Sequence, residues 1–182
     1  FSSGQLKSVF RDKKATMERL TLDMGSVGQL DLNGTLEVGK NWELQDLNLD
    51  LKVPDMDAAL FSALWPQWAS SETRDWVAEN IPVGRIRDAN LLLKADFGAP
   101  EGVRKVYDVN GDMKLREAHL KWAKGATLLT HVDADIKWNN DRIFASIIGG
   151  RVGDLILQQG SVSVAPVLEK VEKSAVISIS AQ

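Results

Sequence analysis

Alternation is the feature that most constrains the fold. From residue 15 onward Leu, Val, Ile, Met and Ala recur two apart, with Thr, Asp, Asn, Glu or Lys between them. That is the period of strands with one apolar and one wet face. Residues 15–53 read as a meander on this rule: Leu20, Leu22 and Met24, then Leu30 and Leu32, then Leu36 and Val38, then Leu47, Leu49, Leu51 and Val53. Gly25-Ser26, Asn33-Gly34 and Gly39-Lys40-Asn41 supply residues tolerant of positive φ. Asn33-Gly34 reads either as a hairpin turn or as a bulge inside one longer strand.

The pattern returns after Pro82. Leu91, Leu93, Ala95 and Phe97 predict a strand that ends in the loop at 98–102. Val109, Gly111, Met113 and Leu115 form a group, Leu120 and Trp122 another, and Val132, Ala134, Ile136 and Trp138 a third, closed by Asn139-Asn140-Asp141. Ile143, Ala145 and Ile147 follow, then Val152, Leu155 and Leu157, then Val162 and Val164. Residues 166–173 read as a charged linker or a single helical turn, and Ala175, Ile177 and Ile179 as a last strand. The fold class expected is mainly β: a long antiparallel meander, built as a curled open sheet or a β-sandwich-like groove.

One stretch departs from this period. After Pro54, Met56, Ala59, Leu60, Ala63 and Leu64 recur three and four apart, as on one face of a short helix with Asp55 as its N-cap. Pro66 ends it. A second helix is expected from Ser70 or Ser71 to about Asn80, with Glu72 complementing the positive end of its dipole. Ile81 precedes Pro82, which turns the chain back to extended structure. The chain thus divides into a first meander (1–53), a two-helix insert (about 54–81) and a second meander (82–182), within one β-rich domain.

Composition narrows the partners. The apolar share is 44%, delivered by residues spaced two apart and not by long runs, and none of the runs approaches the roughly twenty residues that span a bilayer. Lys and Arg number 22 against 25 Asp and Glu, with the two signs interspersed, so the basic stripe that nucleic acid requires is missing. Cysteine is absent, which excludes disulfides and thiolate metal sites. The sequence starts at Phe1 with neither an initiator Met nor a signal-peptide pattern, and is expected to be a segment of a larger protein.

Residues for catalysis are sparse. His119 and His131 lack a Glu or His at metal-binding spacing on a helix and fall in alternating strands, where they are expected on the wet face. Asp133 with Asp135, and Asp46 with Asn48 and Asp50, share a face; such pairs can hold a cation or act as acid and base, and solvated strand faces carry the same pattern. Gly149-Gly150-Arg151-Val152-Gly153 lacks the Lys-Ser/Thr and helix of a phosphate loop and reads as a turn or bulge. No enzyme activity, cofactor or metal is expected.

The six tryptophans are Trp42, Trp65, Trp68, Trp76, Trp122 and Trp138. Trp122 and Trp138 are expected to fill core at strand ends. Trp65, Trp68 and Trp76 lie on helices too short to bury them, so they are expected to pack on the sheet, capping its apolar face or flanking an entry to it.

Trp65-Pro66, then Ser70-Ser71-Glu72-Thr73-Arg74-Asp75-Trp76-Val77, then Gly84-Arg85-Ile86 stepping into Leu91-Leu92-Leu93, resembles the YhdP-type domain of the AsmA-like superfamily, to which TamB is related. Gly111-Asp112-Met113, Ala118-His119-Leu120-Lys121-Trp122 and Val132-Asp133-Ala134-Asp135-Ile136 are similar to later strands of that family, over roughly residues 15–165. The chain reads Trp122-Ala123-Lys124 where the family often has an aromatic residue followed by Pro. The resemblance implies a curled sheet with an apolar groove in the periplasm of a Gram-negative bacterium, part of a protein anchored in the inner membrane. It further implies that the groove carries phospholipid, or another acyl-chain ligand, between inner and outer membrane. Acyl chains would then lie against Leu20, Leu22, Leu47, Leu49, Leu91, Leu93, Val132 and Ile136, with Trp65, Trp68 and Trp76 as the groove cap. The alternative is a structural or adhesive envelope domain in which the same alternation builds a sealed β-sandwich.

Overall fold

A computed structural model of the chain describes residues 3–64, 71–97, 105–121, 125, 127–140, 142–165 and 174–181. It is one ten-stranded sheet whose strand order is the sequence order, every neighbouring pair antiparallel. The strands are β1 (Ser3–Arg11), β2 (Lys14–Asp23), β3 (Gly28–Val38), β4 (Leu44–Asp57), β5 (Val83–Asp96), β6 (Lys105–Leu120), β7 (Leu129–Trp138), β8 (Ile143–Val152), β9 (Leu155–Ala165) and β10 (Ser174–Ala181). Between β4 and β5 stand α1 (Ala58–Leu64) and α2 (Ser71–Asn80). The edge strands β1 and β10 do not pair with each other, so the meander is open.

Register sorts the side chains into two faces, because directly opposed residues in an antiparallel pair project from the same side. One row runs Leu20, Leu32, Leu51, Leu91, Gly111, Trp138, Ile143 from β2 to β8. A second runs Gly28, Met56, Ile86, Leu115, Ala134, Ile147 from β3 to β8. The opposite face carries rows such as Gln29, Asp55, Arg87, Lys114, Asp135, Ser146. One side of the sheet is therefore apolar and the other is charged.

Keeping those rows intact requires a correction in five strands. β2, β4, β5, β6 and β7 each hold one residue more than a neighbouring strand: between Met17 and Leu20, Val53 and Met56, Ile86 and Ala89, Leu115 and Ala118, Leu129 and Val132. In each case the apolar residues stand three apart and the bulge between them returns the second to the apolar face. Asp88, Glu117 and His131, in the bulges of β5, β6 and β7, adopt positive φ of 48°, 52° and 50°. Pro54 sits in the β4 bulge, where its missing N–H interrupts no ladder bond. Bulges in adjacent strands bend and coil a sheet.

The core follows from that bend. Val53, Met56, Ala58, Ile81, Ile86, Ala89, Leu115, Ala118, Leu129, Val132, Ala134 and Leu157 form one buried cluster, joined by Leu60, Phe61 and Val77 of the helices. α1 packs on β4, β5 and α2, at the end of the sheet where β4 finishes and β5 begins. Burial extends to Ile147 and Leu157 on β8 and β9, several strands away from the strands under α1, and the curl of the sheet accounts for it.

The bulges also explain where the sequence reading departs from the structure. Residues 54–57 are strand, not helix: Met56 owes its spacing to the bulge and lies fully buried in β4. The N-cap is Asp57, whose Oδ1 accepts the Ala59 N–H at 2.9 Å, while Asp55 faces arginines on β5. Asn33-Gly34 lies inside β3 without a turn, opposite the extra residue of β2. Residues 105–120 form one strand, not two groups, because the β6 bulge breaks their alternation. Val152 ends β8 and Leu155 opens β9, separated by a turn at Gly153, φ 58°. The β1–β2 hairpin is an addition: its two-residue turn, Asp12-Lys13, has φ of 48° and 65°, yet contains neither Gly nor Asn to announce it. The last strand falls where expected, whereas the loop 98–102 and the linker 166–173 lie outside the described residues.

Candidate functional site

The leucines that would meet acyl chains share the apolar face. Leu20 is in register with Leu32, Leu51 and Leu91; Leu22 with Leu30; Leu47 with Leu36 and Ala95; Leu49 with Leu93. Ile136 opposes Met113 across β6 and β7, and Val132 opposes Ala118. Burial divides them. Val132 belongs to the helix-capped core, with Ile136 packed against it, and Leu47 and Leu93 are buried on β4 and β5 outside that cluster. Leu20, Leu22, Leu49 and Leu91 are half-buried, an apolar patch that the sheet shelters without sealing. Of the proposed cap, Trp65 and Trp68 lie outside the described residues, and Trp76 stands on α2. Trp138 lies over Gly111, where a Cβ would collide with its ring.

The charged face is self-neutralising. Arg85 Nε donates to Asp55 Oδ1 at 3.1 Å, and a second Arg85 nitrogen bonds Oδ2 of the same carboxylate, with Arg87 Nε 3.6 Å away. The hydrogen bonds from Arg85 hold the Asp55 carboxyl below its ordinary range, against an opposing effect of burial and with lesser help from the charges of Arg85 and Arg87. Lys114 Nζ donates to Asp88 Oδ2 at 2.7 Å and lowers that carboxyl too. Arg116 Nη2 donates to Asp135 Oδ1 at 2.8 Å, and Asp133 Oδ1 accepts the Glu117 N–H at 3.0 Å. The aspartates that might have formed an acid–base pair thus hold the bulges and the ladder together.

His131 Nδ1 lies 2.7 Å from Glu117 Oε2, joining the bulges of β6 and β7, and His119 meets it edge-on at 6.3 Å between ring centroids. His131 and Glu117 are both exposed, as expected of the wet face. Among the described residues no group of three or more His, Cys, Asp or Glu is arranged to hold a metal ion, and no helix is long and apolar enough to cross a membrane. Gly149 and Gly150 lie within β8 at an irregularity of register, the bulge of the two expected forms.

Two features went unread in the sequence. Phe10 and Trp42 stack at 5.7 Å between ring centroids, although they lie 32 residues apart and on different hairpins. Only the expectation of a β1 strand, which the turn residues did not supply, would have placed them together. On the charged face, Leu92 and Phe144 are exposed beside Asn90, Asn110, Asp112 and Lys137 around a shallow basin of about 460 Å³.

Compared with family models, curated proteins and solved structures, the chain matches none of them.

Proposed function

We propose that this chain is a segment of an AsmA-like envelope protein that binds phospholipid acyl chains along the apolar face of its curled sheet and lets them pass along it, without catalysis. The observation that carries this reading is the half-buried patch of Leu20, Leu22, Leu49 and Leu91 on one face, with Leu20 and Leu91 joined in register through Leu32 and Leu51, on a sheet whose edges do not meet. An acyl chain on such a patch gains about 0.8 kcal/mol per buried methylene, so it can be held without a polar pocket, while its head group stays in water. The periplasm is the proposed location, and an inner-membrane anchor elsewhere in the full-length protein is part of the same reading.

The sealed-sandwich alternative is supported by the burial of Leu47, Leu93 and Val132, positions where the groove would be filled by protein. Native mass spectrometry and lipid extraction of the purified chain separate the two. Co-purifying phospholipid, lost on Leu91→Lys while the fold persists, supports the conduit. A lipid-free protein that Leu91→Lys simply unfolds overturns it.

A further inference from the structure

The end of the sheet opposite the helices carries an arrangement that neither the core nor the charged face uses. The β1–β2 turn and the turn between β3 and β4 meet there, tied by the Val38 N–H donating to Lys13 O at 2.9 Å. Trp42 is 70% exposed and is the most exposed large apolar side chain among the described residues; Phe10, stacked on it nearly parallel at 16°, is 54% exposed. A stacked aromatic pair this open to water gains little from folding, and the turns that present it place three non-glycine residues, Trp42, Asp12 and Lys13, at positive φ of 66°, 48° and 65°. The tight turn that presents Trp42 is closed by Gly39 N–H to Glu43 O at 2.8 Å, with Glu43 Oε2 accepting the Asn41 N–H.

Cations stand on the turns beside the pair, with Arg11 and Lys14 opposed on the other face of the sheet from Phe10. Arg11, Lys13 and Lys40 stand on the same two turns and make no ion pair among the described residues, while Lys14 is bound to Glu37 at 2.6 Å. The acids nearby are Asp12, Glu37 and Glu43, of which Glu37 and Glu43 are engaged as just described. A depression of about 660 Å³ opens beside them, where Arg11, Lys13 and Lys14 stand with Asp12 and Glu37 and with Val9 and Val38. Exposed Trp and Phe flanked by unpaired Lys and Arg is the chemistry of a bilayer interface: rings sit at head-group depth and cations meet anionic lipid.

We propose that this rim, built from Phe10, Trp42, Arg11, Lys13 and Lys40, docks on an anionic lipid surface. The assignment stands on the rim alone and goes beyond the conduit reading; it sets this end of the sheet against a bilayer and the helices away from it.

Vesicle co-sedimentation of the intact chain tests it, with phosphatidylcholine vesicles prepared with and without phosphatidylglycerol. Binding is expected to need the anionic lipid and to weaken with salt. It should fall by about tenfold or more in the pair Phe10→Ser, Trp42→Ser and severalfold in Lys13→Glu, Lys40→Glu. The second pair keeps both rings, so it reports on the surface even if the first disturbs the hairpins. Phe144→Ser, at an exposed aromatic on the charged face, should leave binding unchanged. No binding by the unaltered chain, indifference to both rim pairs, or an equal loss in Phe144→Ser overturns the proposal. Lipid extraction from the rim variants keeps the two readings apart, since a failed rim leaves co-purified lipid in the groove unaffected.

Discussion

Arg85 and Asp55 face each other diagonally across β4 and β5, with two guanidinium nitrogens on the two carboxylate oxygens, and Arg85 also donates to the Ser26 carbonyl at 3.3 Å. One side chain thus clamps two strands and the 3₁₀ turn Gly25–Val27 at the helix-bearing end. Both partners are partly open to solvent, which limits the pair's worth. A double-mutant cycle of Asp55→Asn with Arg85→Met should give a coupling of about 0.5–1 kcal/mol in urea melts.

The same carboxylate sets an acid limb. A carboxyl whose folded value is depressed contributes stability that is fully present above its unfolded value, about pH 4, and is lost as pH falls through the lower folded value. Urea midpoints should therefore decline below about pH 4. Asp55→Asn should flatten that decline, and an unchanged slope would show that other carboxylates govern it.

Helix α1 offers a separate test of the strand boundary. With Asp57 as the cap, Asp57→Ala should cost about 1 kcal/mol through the freed Ala59 N–H. Asp55→Ala should leave the helix signal in far-ultraviolet circular dichroism untouched.

Gly111 permits Trp138 to lie flat on β6, with the Asn90 carbonyl 2.7 Å from where a Cβ would stand. Gly111→Ala should cost about 1–3 kcal/mol by overpacking and shift the tryptophan emission. Unaltered emission with native stability would show that the ring moves aside freely.

Burial grades the apolar face. Met56→Ala should cost about 2–5 kcal/mol, because Met56 is fully buried in the helix-capped core. Leu91→Ala, at a half-buried position of the same face, should cost less than half of that by urea denaturation.

The alternation that reads so plainly in the sequence marks the fold class, and Ser71 with Glu72 marks the start of the second helix. It misled where two apolar residues stand three apart. That spacing is one turn of helix or one bulge, and nothing local distinguishes the two. Met56 therefore reads as the first apolar residue of a helix, when its pairing with Gly28 on the far strand decides for the bulge. The β1–β2 hairpin escaped for a different reason: Asp12-Lys13 reaches positive φ at a steric cost that neighbouring strand pairs compensate, so its identity as a turn is a tertiary property. The rim formed by Phe10 and Trp42 depends on that hairpin and was equally hidden.

Strand order that follows sequence order has a consequence for how the molecule comes apart. Each strand hydrogen-bonds only with the one before and the one after, with no crossover, so outside the shared buried cluster order is lost along a line as in a repeat array. The interior strands β4 to β7 carry most of the buried cluster, whereas every residue of β1 is exposed. Amide protons should exchange fastest in β1, more slowly through β2 and β3, and slowest in β5 and β6. The sheet peels from its free margins inward, and the middle keeps its shape while the margins open and close.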